Sequence, residues 1–178
     1  MTRVIRWSCN GIIVSKIVVL IKTIIFTFVV PGTVTILIPY WLLSSSASAP
    51  MNLGAVRYAG LVAVVIGVAI YCWCAWNFTF AGSGTPAPID PPKELVVRGL
   101  YRYVRNPMYI AVLTILFGEA LLKASRELFY YTGTVFAFFF LFVLLYEEPM
   151  LTQKFGDSYS RYRKEVPRWI PWKSKDTR

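Results

Sequence analysis

Long uncharged apolar runs, separated by short polar or proline-rich segments, dominate the chain. The first run extends over residues 11–43 and is interrupted early by Lys16 and Lys22. About 20 residues cross a hydrocarbon core, so 11–22 reads as an interfacial, snorkelling lead-in and 23–43 as a span. Pro31-Gly32 should kink it; a hairpin there is the alternative, but its halves would be too short to cross. An uncharged turn, SSSASAP, precedes a second span at 54–78, which ends in Tyr71, Trp73, Trp76 and Phe78, aromatic residues suited to the membrane interface. Residues 81–107 break the pattern, with five prolines and three glycines that forbid regular structure over the first part. A third apolar segment at 108–122 is short for a full crossing, and a fourth at 128–146 is rich in aromatics. Only 123–127 joins these two, which predicts an antiparallel helical hairpin. Beyond Glu147-Glu148-Pro149 the chain becomes a polar tail, 147–178. Phe155, Tyr159, Tyr162 and Val166 recur there at helical spacing, with Lys154, Arg161 and Glu165 on another face. This predicts an amphipathic helix, lying against the membrane or capping the bundle, and ended by Val166-Pro167.

The expected fold is therefore all-α: a polytopic membrane protein, one domain over 1–178, with about four transmembrane helices, a C-terminal hairpin and an amphipathic cytoplasmic tail helix. Composition agrees. Of 178 residues, 56% are hydrophobic and 16% charged, against about 25% charged in a soluble domain. No signal peptide precedes the first run, so that segment is expected to be retained.

The net charge of +10 changes the picture mainly through its distribution. With four spans, the N-terminus, the 81–107 loop and the tail share one side, which collects Arg3, Arg6, Lys93, Arg98, Arg102, Arg105 and the eight basic residues of the tail. The opposite loops hold Arg57, Lys123 and Arg126. The positive-inside rule then puts both termini in the cytoplasm, in what reads as a prokaryotic cell membrane, and the basic segments fit anionic lipid headgroups better than nucleic acid. Cys72 and Cys74 are too close for an ordinary disulfide and lack metal-site spacing, so no metal is expected. Histidine is absent, which excludes Ser-His-Asp and Cys-His nucleophile systems.

Two polar constellations could carry chemistry. One is the stretch from Gly99 to Tyr109, GLYRYVRNPMY, which leads into the third span. The other is Glu147-Glu148-Pro149 at the end of the fourth. A hairpin brings the two together, although some 40 residues separate them. Basic and acidic residues at helix ends can simply anchor the hairpin; adjacent carboxylates at a membrane boundary, however, need partners and often mark function. Glu119, inside the third span, reads first as an i,i+4 partner of Lys123.

The ordered set GxYxxxRNPxY, then EEP, then FGxxYxxYxxxVPR resembles the isoprenylcysteine carboxyl methyltransferase and phospholipid methyltransferase family of membrane enzymes, over about residues 81–171. The resemblance implies an S-adenosylmethionine-dependent methyltransferase acting on a lipophilic or prenylated acceptor at the cytoplasmic face. It implies a cofactor site bordered by Lys93, Glu94, Leu95 and Val96, walled by Tyr101, and completed by Asn106, Pro107, Met108, Tyr109 and Glu147. Helix-start N–H groups suit a carboxylate, a carboxylate accepts hydrogen bonds, and tyrosine rings attract a sulfonium by cation–π contact. No GxGxxG fingerprint of a soluble dinucleotide fold is present. Two positions depart from the family. Asn106 stands where histidine is common and cannot titrate. Val143 stands where eukaryotic carboxyl methyltransferases have an arginine that contacts substrate. Arg105 is the candidate to orient the acceptor, and Glu148 or a nearby tyrosine to take a proton from an amine or hydroxyl. The alternatives are a phospholipid or small lipophilic N- or S-methyltransferase, and a non-catalytic membrane scaffold or transporter-like subunit.

Overall fold

Proline and glycine punctuation decides how the apolar runs become helices. The computed structural model describes residues 20–46, 49–81, 95 and 97–170, and among these the regular structure is entirely helical. Helix α1 spans Leu20–Ser45, so the part of the lead-in over 11–19 lies outside the described residues. Just beyond Pro31-Gly32, where a kink is expected, the helix widens into a π turn, Thr33–Leu37, closed by Ile38 N–H donating to Thr33 O. The cause is Pro39. Proline lacks an N–H and its ring crowds the carbonyl four residues earlier, and a widened turn absorbs both defects without ending the helix.

A 3₁₀ turn, Gly54–Tyr58, leads into α2, Ala59–Ala81. Its sequence is apolar on every face, the mark of a helix surrounded by lipid or protein. Helix α3 spans Pro107–Lys123, with Pro107 in the first turn, where a missing N–H costs nothing. Ala124 adopts a left-handed conformation at φ 50°, and Ser125 then caps α4, its Oγ accepting from Leu128 N–H at 3.3 Å.

Helix α4 runs as one element over Arg126–Phe155, well past the expected limit of 146. The Glu147-Glu148-Pro149 sequence therefore lies inside a helix instead of opening the tail. The tail does carry one amphipathic helix ended at Val166, but it starts later than the spacing from Phe155 suggests. Gly156, at φ 54°, sets the boundary, and Asp157–Glu165 forms α5.

Among the described residues three helices, α1, Gly54–Asn77 and α4, are long and apolar enough to cross a membrane. Val62, Val65 and Phe138 present exposed apolar side chains on their outer faces, as a lipid-facing surface would. Helices α2 and α3 approach each other through glycines. A Cβ at Gly67 would lie 2.8 Å from Ala111 O, and one at Gly118 would lie 2.6 Å from Gly60 O. Such small-residue contacts are how membrane helices maximise packing. Around them Tyr71, Ala111, Val112, Leu116 and Val135 form the buried core.

Candidate functional site

The segment before α3 is built from its backbone outward. Gly99 sits at φ 56°, and a Cβ there would lie 3.0 Å from Trp73 Nε1 and 3.1 Å from Asn77 Nδ2. Glycine thus lets the chain turn tightly against the end of α2. A 3₁₀ turn, Gly99–Arg102, follows and buries Tyr101. The tail holds this segment from below: Tyr162 Oη donates to Tyr101 O at 2.7 Å, Arg105 N–H donates to Pro167 O at 2.9 Å, and Asn106 Nδ2 donates to Arg168 O at 3.1 Å. Tyr159, Tyr162 and Val166 pack against Leu95, Leu151 and Phe155. These contacts hold α5 against the end of α4.

The acidic pair lies at the second π turn, Val143–Glu147, closed by Glu148 N–H donating to Val143 O. Its context repeats that of the first: a proline, Pro149, stands two residues after the turn ends. The two carboxylates diverge. Glu147 Oε2 accepts from Tyr109 Oη at 2.8 Å. Glu148, 4% exposed, is held by Arg105 Nη1 at 2.8 Å and by both Nε and Nη2 of Arg168, at 2.5 and 2.9 Å; Arg163 stands farther off at 4.0 Å. The Arg168 contact is the bidentate fork that makes such pairs strong. Val143 is buried at the start of the same turn.

Glu147 borders a cavity of about 120 Å³. Its polar side is formed by Glu147, Arg105, Asn106, Tyr101 and Tyr109, and its apolar side by Val30, Pro31 and Val34 of α1 with Met108, Val112 and Phe139. Arg105 Nε is buried and has no hydrogen-bond partner among the described residues. Burial pushes the Tyr101 phenol well above its usual 10, so it stays protonated through the neutral range; its side chain shares a hydrogen bond with the buried Cys74 thiol.

The structure thus brings together six of the sequence-derived candidates, Tyr101, Arg105, Asn106, Met108, Tyr109 and Glu147. Pro107 is fully buried beneath them. Leu95 packs under α5, away from the cavity. Glu148 is not on the cavity wall; it ties three segments together. Lys93, Glu94 and Val96 lie outside the described residues.

Three contributors escaped sequence reading. Helix α1 supplies one wall, with nothing but generic apolar residues to announce it. Tyr71 faces the same space from α2. Trp169 reaches back from the tail to within 6.4 Å of the Tyr109 ring and 5.7 Å of the Phe136 ring, centroid to centroid. The RW dipeptide after Val166-Pro167 was the only signal for it.

Comparison with known proteins bears on the same region. The family model described as phospholipid methyltransferase matches residues 56–158, a stretch that includes α2, α3, α4 and both polar constellations. The chain belongs to that family. Among relatives, the protein-S-isoprenylcysteine O-methyltransferase of Schizosaccharomyces pombe is 38% identical over 77 residues, 43% of this chain and 33% of the relative. Methanethiol S-methyltransferase 1 of Bradyrhizobium diazoefficiens is 31% identical over 74 residues, 42% of this chain and 25% of its own. The methanethiol S-methyltransferase of Mycobacterium tuberculosis is 32% identical over 78 residues, 44% and 31%. The matched stretches thus amount to about a third or less of the relatives' lengths. Family membership agrees with the resemblance carried by the RNP, EEP and VPR motifs.

Proposed function

We propose that this protein is an S-adenosylmethionine-dependent methyltransferase acting on a lipophilic acceptor at the cytoplasmic membrane face, similar to an isoprenylcysteine carboxyl O-methyltransferase. The observation that carries the reading is Glu147, hydrogen-bonded to Tyr109 on a cavity with one polar and one apolar side. In this reading α3 is a fourth, short span, both termini are cytoplasmic, and 1–178 form one integral membrane domain.

The residues present fit the cofactor. When bound, it would supply an electrophilic methyl group on a sulfonium. Glu147 accepts hydrogen bonds from hydroxyl or amino groups, while Tyr101 and Tyr109 offer ring faces to a cation. The buried, unpartnered Nε of Arg105 is a donor for a carboxylate, whether of cofactor or acceptor. Asn106 does not cap α3 with its side chain, so the Met108 and Tyr109 N–H groups of the first turn remain available to an anion. Lys93, Glu94, Leu95 and Val96 are assigned the far border of the site. A cavity of about 150 Å³ holds a benzene-sized group, so the 120 Å³ here suits the methyl-bearing end and the acceptor atom, not the whole cofactor.

Displacement at a methyl group depends chiefly on aligning donor and nucleophile, and a carboxylate or thiolate acceptor needs no base. For an amine or hydroxyl acceptor, Glu147 is the only carboxylate among the described cavity residues. Glu148, paired with its arginines, acts as a positioning residue that fixes Arg105. The small cavity and buried Val143 favour the second reading, a small lipophilic thiol as acceptor, since a dedicated carboxylate-binding arginine is missing at that turn. Incubating the purified protein with methyl-labelled S-adenosylmethionine and a membrane lipid extract, an S-prenylcysteine or a short alkanethiol tests this. Label in an extractable product supports the reading and its identity names the acceptor; no label with any acceptor favours the non-catalytic scaffold.

A further inference from the structure

Two cavities meet at Tyr71. The inner one is the 120 Å³ space bordered by Glu147. The outer one, about 240 Å³, lies between α1 and α2 and has Leu20, Ile24, Phe28, Ala75 and Trp76 among its walls. No lining residue of the outer cavity carries a charge. Its rim is exposed on two helices apolar enough to span a bilayer, with Phe28 75% and Trp76 65% accessible. Tyr71 lines both spaces and is itself buried.

One hydrogen bond fixes the Tyr71 ring in this dividing position. Thr27 Oγ1 donates its single proton to Thr23 O at 2.8 Å. The 3.0 Å contact between Thr27 Oγ1 and Tyr71 Oη therefore has the tyrosine as donor. Along α1 the residues facing the two cavities interleave: Thr27 and Phe28 face the outer space, Phe26 and Val30 the inner. Rotation of the Tyr71 side chain away from Thr27 would break that one bond and join the two spaces.

We propose that Tyr71 gates a lateral portal between α1 and α2, through which the alkyl or prenyl chain of an acceptor passes from the bilayer to the cavity bordered by Glu147. This deepens, and rests on, the lipophilic-acceptor reading above. The occupant is an apolar chain because the outer walls are apolar; a charged cofactor finds no partner there. The gate determines specificity, since a chain must displace the ring whereas a short thiol fits the inner cavity alone.

The test uses the full chain in nanodiscs and a diazirine-bearing hexadecanol as photoprobe, with labelled positions mapped by mass spectrometry. Val112 is the reporter, because it lines the inner cavity and is buried from the surface. The portal predicts Val112 labelling in the wild type and its loss in Ala75→Trp, which fills the outer cavity. It also predicts a rise of roughly threefold in Tyr71→Phe and in Thr27→Val, the scale of one hydrogen bond inside a bilayer. Val112 labelling that persists in Ala75→Trp, or that is unchanged in both latch variants, overturns the proposal. Cofactor affinity is measured separately, so a failure of the methyl-transfer reading leaves this labelling pattern intact and is distinguishable from failure of the portal.

Discussion

Glu147 and Glu148 are neighbours in sequence with different surroundings. Glu147 has a tyrosine hydroxyl and a cavity; Glu148 has two close arginines and almost no solvent. Their substitutions should separate accordingly. Glu148→Gln leaves Arg105 and Arg168 without their counter-charge, and breaking a buried pair of this kind costs about 3 kcal/mol. Thermal unfolding in detergent should show a clear fall in Tm. Tyr101 offers a pH signature. Its folded-state pKa is raised by burial, so its contribution to stability is complete below about 10, the ordinary tyrosine value, and is lost as pH rises beyond that. Tyr101→Phe should flatten the alkaline loss of stability, measured as Tm against pH. The sequence placed both acids near the arginines and assigned Glu147 to the cofactor and Glu148 to proton transfer. The pairing of Glu148 with Arg105 and Arg168, however, depends on which way each side chain leaves a widened turn.

The two π turns are the element-scale feature that shapes the site. Each precedes a proline by one intervening residue, Ile38-Pro39 in α1 and Glu148-Pro149 in α4, and each flanks the cavity through Val34 or Glu147. Pro149→Ala restores an N–H and removes the crowding, so the turn is expected to tighten to an α-helical one and re-aim Glu147. Cofactor affinity should drop about tenfold or more while Tm changes little, a contrast readable by titration and unfolding of the same preparation. Hydropathy periodicity cannot register one extra residue in a turn, so neither π turn shows in the sequence pattern. For a related reason the spacing misplaces the start of the tail helix: Phe155, Tyr159 and Tyr162 keep their spacing across Gly156, and only its positive φ betrays the boundary. Between α2 and α3, Gly67→Val should overpack the contact with Ala111 and Ile115 and lower Tm, by about 1–3 kcal/mol in stability. Gly133→Val, with nothing near its Cβ direction, should be tolerated.

At the scale of the whole molecule, the apolar runs made helical membrane architecture legible, because span length and lipid-facing composition are local properties of sequence. The cavity was only half legible. Tyr101, Asn106, Tyr109 and Glu147 stood in recognisable motifs, whereas Val30, Val34 and Tyr71 look like any lipid-facing residue until tertiary packing brings α1 across the α3 entrance. The proposed orientation has its own check. Single cysteines in place of Arg57 and Ser158, in a cysteine-free background, should react differently with a membrane-impermeant maleimide. Arg57→Cys should label in intact cells, and Ser158→Cys only after lysis. The central claim, a cofactor site centred on Glu147, is tested most directly by calorimetric titration of the detergent-purified protein with S-adenosylmethionine, beside the Glu147→Gln variant. The account predicts saturable one-site binding that weakens at least about tenfold in the variant, the loss of one charged hydrogen bond, with Tm preserved. Absence of binding by the wild type, or equal binding by the variant, would contradict it.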